Sequence, residues 1–129
     1  MYALDTNILV YAYDRSEDLS ETAINLINPN ACISNFVFQE FIFQLTKRKV
    51  PKVHLMKVAI DLLDILWLTR VDKDIYKYAY FLIRRYDFSL ADAIVIADAI
   101  LNNCNILYSR DMQNGQMIDK KLIIIDPFR

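Results

Sequence analysis

The stretch SLADAIVIADAILNNCNILYSRD, residues 89–111, decides the fold. Ser89, with Asp92 three residues later, reads as a capping box at a helix start. The apolar-rich run behind it continues to Asn102-Asn103, so a helix is expected to end there. Ile106-Leu107-Tyr108 then forms a short continuous apolar segment, of the kind that lies buried in a parallel sheet. Asp111 falls just past its end.

The same alternation runs through the rest of the chain. Tyr2 to Leu4 is expected as a first strand, Thr6 to Tyr13 and Leu19 to Ile27 as helices, Asn28-Pro29-Asn30 as a turn, and Ala31 to Ser34 as a second strand. Asn35 to Lys49 has helical spacing and is apolar nearly all round. Pro51 suits the first turn of the next helix, to about Leu66. Leu68 to Val71 is a third strand, and Asp72 caps a helix from Ile75 to Tyr86. Leu122 to Ile125 is a fifth strand. Strands separated by helices imply right-handed crossovers and an α/β fold, its mostly parallel sheet covered on both faces. The 129 residues fit one domain, 1–129.

Hydrophobic residues make up 55% of the chain, enough for a core without disulfides or structural zinc. The net charge of −1 argues against gripping nucleic acid by bulk positive charge, though not against one local basic patch. Cys32 and Cys104 lack metal-pair spacing and are expected to be reduced core residues. An acid at position 5 comes too early for a signal peptide, and Lys57, Asp61 and Asp64 interrupt the apolar stretch from Leu55 to Leu68. A cytoplasmic chain with no membrane segment is the expectation.

Several chemistries are excluded. One glycine, Gly115, is too few for a P-loop, a dinucleotide fingerprint or a nucleophile elbow. The one histidine, His54, sits in a helical pattern away from any Ser or Cys partner and is read as a partly exposed helix residue. What remains in quantity is carboxylate.

In open parallel sheets ligands bind at the carboxyl ends of strands. That rule selects Asp5 after the first strand and Asp111 after the fourth. Asp92 lies in the first turn of the helix before that strand, and Glu40 lies on the helix after the second. Glu40 stands out because its helical neighbours, Phe36 and Val37 before it and Phe43 and Gln44 after it, make a largely apolar stripe. Two unit charges about 4 Å apart, at an effective dielectric of about 20, repel by roughly 4 kcal/mol. If the four acids converge, either some are protonated or a hard, oxygen-preferring cation joins them. Each has a plainer role open to it as well. Asp5 can cap the following helix, Asp92 can complete the Ser89 capping box, Asp111 can open a turn near Gly115, and Glu40 can be exposed.

The pattern Leu4-Asp5-Thr6-Asn7, Glu40, Leu90-Ala91-Asp92-Ala93 and Leu107-Tyr108-Ser109-Arg110-Asp111, with Asp126-Pro127-Phe128 near the end, resembles the PIN-domain nucleases, and among them the VapC-like toxins of toxin–antitoxin pairs. The resemblance covers essentially the whole chain. It implies a three-layer α/β/α sandwich with a parallel sheet of about five strands, and an endoribonuclease hydrolysing phosphodiester bonds with Mg²⁺ or Mn²⁺. It carries the acidic, metal-holding positions over to Asp5, Glu40, Asp92 and Asp111, with Thr6, Asn7 and Ser109 as supporting polar groups. It also implies an RNA substrate, a homodimer and an antitoxin partner. Asp98 departs from the pattern, where a small apolar residue is more usual. It falls about 240° round the helix from Asp92 and is left out of the site.

Lys47-Arg48-Lys49, with Lys52, is the densest basic cluster and reads either as a helix C-terminus complementing the dipole or as a phosphate-contacting rim. Arg110 is the best-placed substrate contact because it adjoins Asp111. The helix from Asn35 and the next, through Met56, Ile60, Leu63 and Trp67, carry more apolar surface than one sheet face hides. That excess fits a dimer interface, a groove for a partner helix or a deeply buried helix pair.

Three other readings compete, the weakest a receiver-like module, which needs a paired acid near the first strand and a Lys after the fifth, where Asp5 has no acidic neighbour and Asp126-Pro127 follows. A haloacid-dehalogenase-like phosphatase needs a second Asp two residues after the first, where Asn7 stands. A catalytically silent PIN-like binding module would have no need of all four acids.

Overall fold

A computed structural model describes residues 1–15 and 18–129. The elements in chain order are β1 (Tyr2–Leu4), α1 (Thr6–Tyr13), α2 (Ser20–Leu26), β2 (Ala31–Ser34), α3 (Asn35–Lys47), α4 (Lys52–Leu63), β3 (Trp67–Thr69), α5 (Lys73–Tyr86), α6 (Leu90–Leu101), β4 (Ile106–Tyr108), β5 (Met117–Ile118) and β6 (Leu122–Ile125). Among the described residues six strands form one sheet, ordered β3-β2-β1-β4-β6-β5. All neighbours are parallel except β5 and β6.

The order runs outward from β1 to β3 on one side and from β4 to β5 on the other. With right-handed crossovers this puts α1–α4 on one face and α5 and α6 on the other. Packing agrees: α1 contacts α2 and α3, α3 contacts α4, and α5 lies along α6. The result is the three-layer α/β/α sandwich expected. Its core is built from Leu4, Ile33, Leu107 and Ile124 of the strands, with Ile8, Phe41, Leu82 and Ile96 from the helices, all essentially fully buried. Burying a side chain of this size stabilises by about 1.5–3 kcal/mol. Cys32 and Cys104 are buried free thiols, their sulfurs 3.2 Å apart. His54 is exposed on α4.

The sheet has one strand more than expected. β5 is two residues long and reaches β6 through a three-residue connection, Asp119–Lys121, whose turn is closed by the Lys121 N–H on the Ile118 carbonyl at 2.9 Å. Asp119 and Lys120 both have positive φ, 52° and 55°. This is the backbone of the favoured hairpin turn without the Asn-Gly or Asp-Gly sequence that announces it. Other boundaries moved as well. α3 stops at Lys47 because Lys49 turns left-handed, φ 61°, and the Lys49 and Val50 N–H groups close on Thr46 and Leu45. That is a Schellman cap without glycine. Pro51 precedes α4 instead of opening it, α4 ends at Leu63 short of Leu66, and β3 begins at Trp67. Asp72 caps α5 as expected, accepting from the Asp74 and Ile75 N–H groups, so that helix starts at Lys73.

Candidate active site

The strand order reverses between β1 and β4, and the carboxyl ends of these two neighbours bring Asp5 beside Ser109. The Asp5 N–H donates to the Tyr108 carbonyl at 3.0 Å, extending the pairing one residue past β1. Asp5 also caps α1, its Oδ1 accepting the Thr6 N–H at 2.8 Å, while Oδ2 accepts the Ser109 hydroxyl at 2.8 Å. The capping role and a place in the cavity wall thus coexist in one side chain.

Glu40 projects from the middle of α3, and its Oε2 accepts the Thr6 hydroxyl at 3.2 Å. Asp92 lies in the first turn of α6, where its N–H is capped by Ser89 Oγ at 3.2 Å. Asp111 follows β4, and its Oδ2 accepts the Asn7 amide at 3.3 Å. Asn7 ties the parts together. Its Nδ2 is also 3.4 Å from both Asp5 Oδ2 and Ser109 Oγ, and its Oδ1 accepts the Arg110 N–H at 3.2 Å.

Asp5, Glu40, Asp92 and Asp111 line a single cavity of about 420 Å³ together with Thr6, Asn7, Val10, Tyr11, Gln44 and Arg48. Among the described residues none of the four acids has an ion-pair partner. Arg48, at the wall, pairs with Asp14 at 3.1 Å. Burial pushes the Asp5 carboxyl from its ordinary 3.8 up to about 6, and the charges of Asp92 and Glu40 push the same way against the hydrogen bonds from Ser109 and Thr6. Asp92 is also raised, first by burial and then by Asp111, with Ser89 opposing.

Among the described residues no three His, Cys, Asp or Glu side chains are gathered tightly enough to hold a metal ion as they stand. The donor set still fits one kind of ion. Carboxylates, hydroxyls and an amide, with no thiol or imidazole, suit Mg²⁺ or Mn²⁺ and not zinc. Glu40 accepts one hydrogen bond, from Thr6, and Asp111 one, from Asn7.

Of the basic residues considered from the sequence, Arg48 reaches the cavity wall, while Lys47 and Lys49 are exposed outside it. Arg110 stands beside the cavity over the ring of Tyr11. Sequence reasoning missed Tyr11 and Gln44. Their signal was helical spacing, since Asn7 and Tyr11, and Glu40, Gln44 and Arg48, each recur every four residues on one face. Asp98 is buried away from this cavity, accepting hydrogen bonds from Thr69 and from Asn102.

A second cavity, of about 410 Å³, is apolar. It lies between α1–α2 and α3–α4 and is lined by Leu9, Ala12, Ile24, Phe41, Leu62 and Ile65 among others. Beyond it, Phe43, Val53, Met56, Ile60 and Trp67 are exposed. The excess apolar surface expected on α3 and α4 is therefore in part at the surface. Among the described residues no helix is long and apolar enough to cross a membrane.

The fold and the site together define an α/β/α sandwich with a carboxylate-lined cavity at its switch point. The family profile of the PIN domain matches residues 2–114, and the chain belongs to that family. Its fold is similar to those of several solved structures. A toxin–antitoxin complex from Klebsiella pneumoniae aligns with a TM-score of 0.75 at 22% identity, covering 98% of both chains. VapC20 of Mycobacterium tuberculosis, a sarcin-ricin loop cleaving toxin, aligns at 0.72 and 22%, covering 86% of this chain and 90% of its own. VapBC2 from Rickettsia felis, bound to a DNA fragment from its promoter, aligns at 0.74 and 23%, covering 95% and 96%. No curated protein matches the chain significantly.

Proposed function

We propose that this chain is a Mg²⁺- or Mn²⁺-dependent endoribonuclease and the toxin half of a cytoplasmic toxin–antitoxin pair. One observation carries the catalytic part: four carboxylates from four separate parts of the chain line one cavity, and among the described residues none of them has an ion-pair partner, Arg48 in the wall being paired with Asp14. Asp5, Glu40, Asp92 and Asp111 would hold the ion, which would supply an acidified water and offset charge on the scissile phosphate.

The remaining roles belong to the chain. Ser109 and the Thr6 N–H fix the two oxygens of Asp5. The Thr6 hydroxyl holds Glu40 toward the same space. Asn7 steadies Asp111, whose exposed carboxylate is placed to accept a proton at the cavity rim. Arg48 and Arg110 meet the phosphates, with Lys47 and Lys49 contributing charge further out. An RNA substrate is favoured because VapC20, one of the similar folds, cleaves the sarcin-ricin loop.

The partner is an antitoxin whose amphipathic segment lays apolar side chains into the cavity between α1–α2 and α3–α4. Similar folds solved as toxin–antitoxin complexes favour this occupant. The exposed apolar residues of α4 and β3 suit a homodimer contact.

The test is cleavage of RNA by the purified chain with Mg²⁺ or Mn²⁺, abolished by EDTA and by Asp5→Asn or Asp92→Asn in variants that remain folded. Undiminished cleavage by both variants would sink the assignment of the site. Growth arrest on expression, relieved by a co-expressed partner, tests the toxin role separately.

A further inference from the structure

Arg110 lies between two residues of the site, Ser109 and Asp111, and aromatic rings hold its side chain. The guanidinium carbon sits 5.2 Å from the centre of the Tyr11 ring and 5.9 Å from that of Phe128. Nη1 donates to the Tyr11 hydroxyl at 3.0 Å. The two rings brace each other edge to face, their centres 5.3 Å apart. At the other end the Arg110 N–H is pinned to Asn7. Among the described residues no carboxylate pairs with Arg110, although Asp111 is its neighbour in sequence.

An arginine against two rings keeps its planar fork in a fixed direction, so little freedom is lost when it binds an anion. Tyr11 is part of the carboxylate cavity wall, so this fork stands at the mouth of an acidic site. That is where a polyanionic substrate needs a cation. The acids themselves repel it.

We propose that Tyr11 and Phe128 form a cradle that fixes the Arg110 guanidinium to bind an RNA phosphate next to the scissile one. Tyr11 is then a positioning residue for substrate, acting through Arg110. This rests on the ribonuclease reading above.

The test uses the full chain in EDTA, where nothing is cleaved, and follows the anisotropy of a fluorescein-labelled single-stranded RNA of mixed sequence. Tyr11→Leu is expected to weaken binding roughly tenfold and to reduce the salt slope by about 0.7, the mark of one lost phosphate contact on a single strand. Arg110→Ala should do the same. The double variant should bind no more weakly than Arg110→Ala alone, because one contact is removed in both cases. Tyr11→Phe keeps the ring and should recover most of the loss, whereas Arg110→Lys keeps the charge without the plane and should not. With metal restored, Tyr11→Leu should raise KM and leave kcat in place.

Losses that multiply in the double variant, or an unchanged salt slope, overturn the cradle while wild-type cleavage leaves the ribonuclease reading standing. A wild-type chain that neither binds nor cleaves RNA overturns both. If Tyr11→Leu does not fold, Phe128→Leu removes the opposite side of the same cradle and gives the same comparison.

Discussion

The Ser109 hydroxyl donates a 2.8 Å hydrogen bond to Oδ2 of Asp5, joining the residue after β4 to the residue after β1. Ser109 is fully buried, so water cannot readily take its place. The bond orients the carboxylate and opposes the upward push of burial on its pKa. Ser109→Ala should therefore raise the Asp5 pKa further and weaken Mn²⁺ binding by about ten- to a hundredfold, the usual effect of losing a group that orients a ligand. Titration calorimetry with Mn²⁺ checks it. An affinity equal to that of the wild type would remove Ser109 from the site.

What the sequence made legible follows from how local each signal is. Asp5 and Asp111 were found because each ends a short apolar run, and a parallel sheet gathers such ends at one edge. Glu40 was found because a carboxylate on an apolar stripe demands a reason. The Ser89 and Asp72 caps were readable from residue type alone. The short strand β5 was not, because Asp119 and Lys120 adopt a backbone that glycine usually signals. Neither was the role of Asn7, which depends on side chains about a hundred positions away meeting it in space. The basic rim was half legible. The run Lys47-Arg48-Lys49 looks uniform, but only Arg48 continues the face of α3 that carries Glu40 and Gln44.

Glu40 offers a cleaner separation of catalysis from folding than a truncation would. In Glu40→Gln the amide oxygen can still accept the Thr6 hydroxyl that now meets Oε2. The lost charge also relieves the repulsion that helps raise Asp5. Cleavage should fall by at least about a hundredfold if Glu40 holds the ion, while thermal stability in EDTA should hold or rise. RNA cleavage and calorimetric unfolding on the same preparation decide it. A variant that loses stability and activity together would indicate a structural role.

The β5–β6 turn gives a prediction independent of function. Lys120 is exposed, and its φ of 55° is one that L-residues adopt at a cost of roughly 1 kcal/mol. Glycine adopts it freely, so Lys120→Gly should stabilise the chain by about 0.5–1 kcal/mol and raise Tm by a few degrees. Asp119 is left in place because its carboxylate accepts the Tyr78 hydroxyl and its N–H donates to the Tyr86 hydroxyl. A lower Tm would mean that the Lys120 side chain contributes more than its backbone strain costs.

The raised Asp5 carboxyl makes stability depend on pH in a direction opposite to that of a salt-bridged acid. The folded chain holds this proton up to about pH 6, whereas the unfolded chain releases it near its ordinary 3.8. Below about pH 4 both states are protonated and Asp5 imposes no penalty. As pH rises through the interval to about 6, the folded state must ionise a buried group, and stability on the order of 3 kcal/mol is lost. Asn in this place keeps the shape, can still accept the Thr6 N–H and can donate to Ser109. In EDTA, Asp5→Asn should therefore match the wild type near pH 4 and exceed it near neutrality. Mn²⁺ should raise the Tm of the wild type at neutral pH by binding the ionised site, and should leave that of Asp5→Asn nearly unchanged. Calorimetric unfolding across this range, with and without the ion, checks both halves. An Asn variant less stable than the wild type at neutral pH would mean that the ionised Asp5 is already compensated within the fold, and the case for a cation there would lose its electrostatic ground.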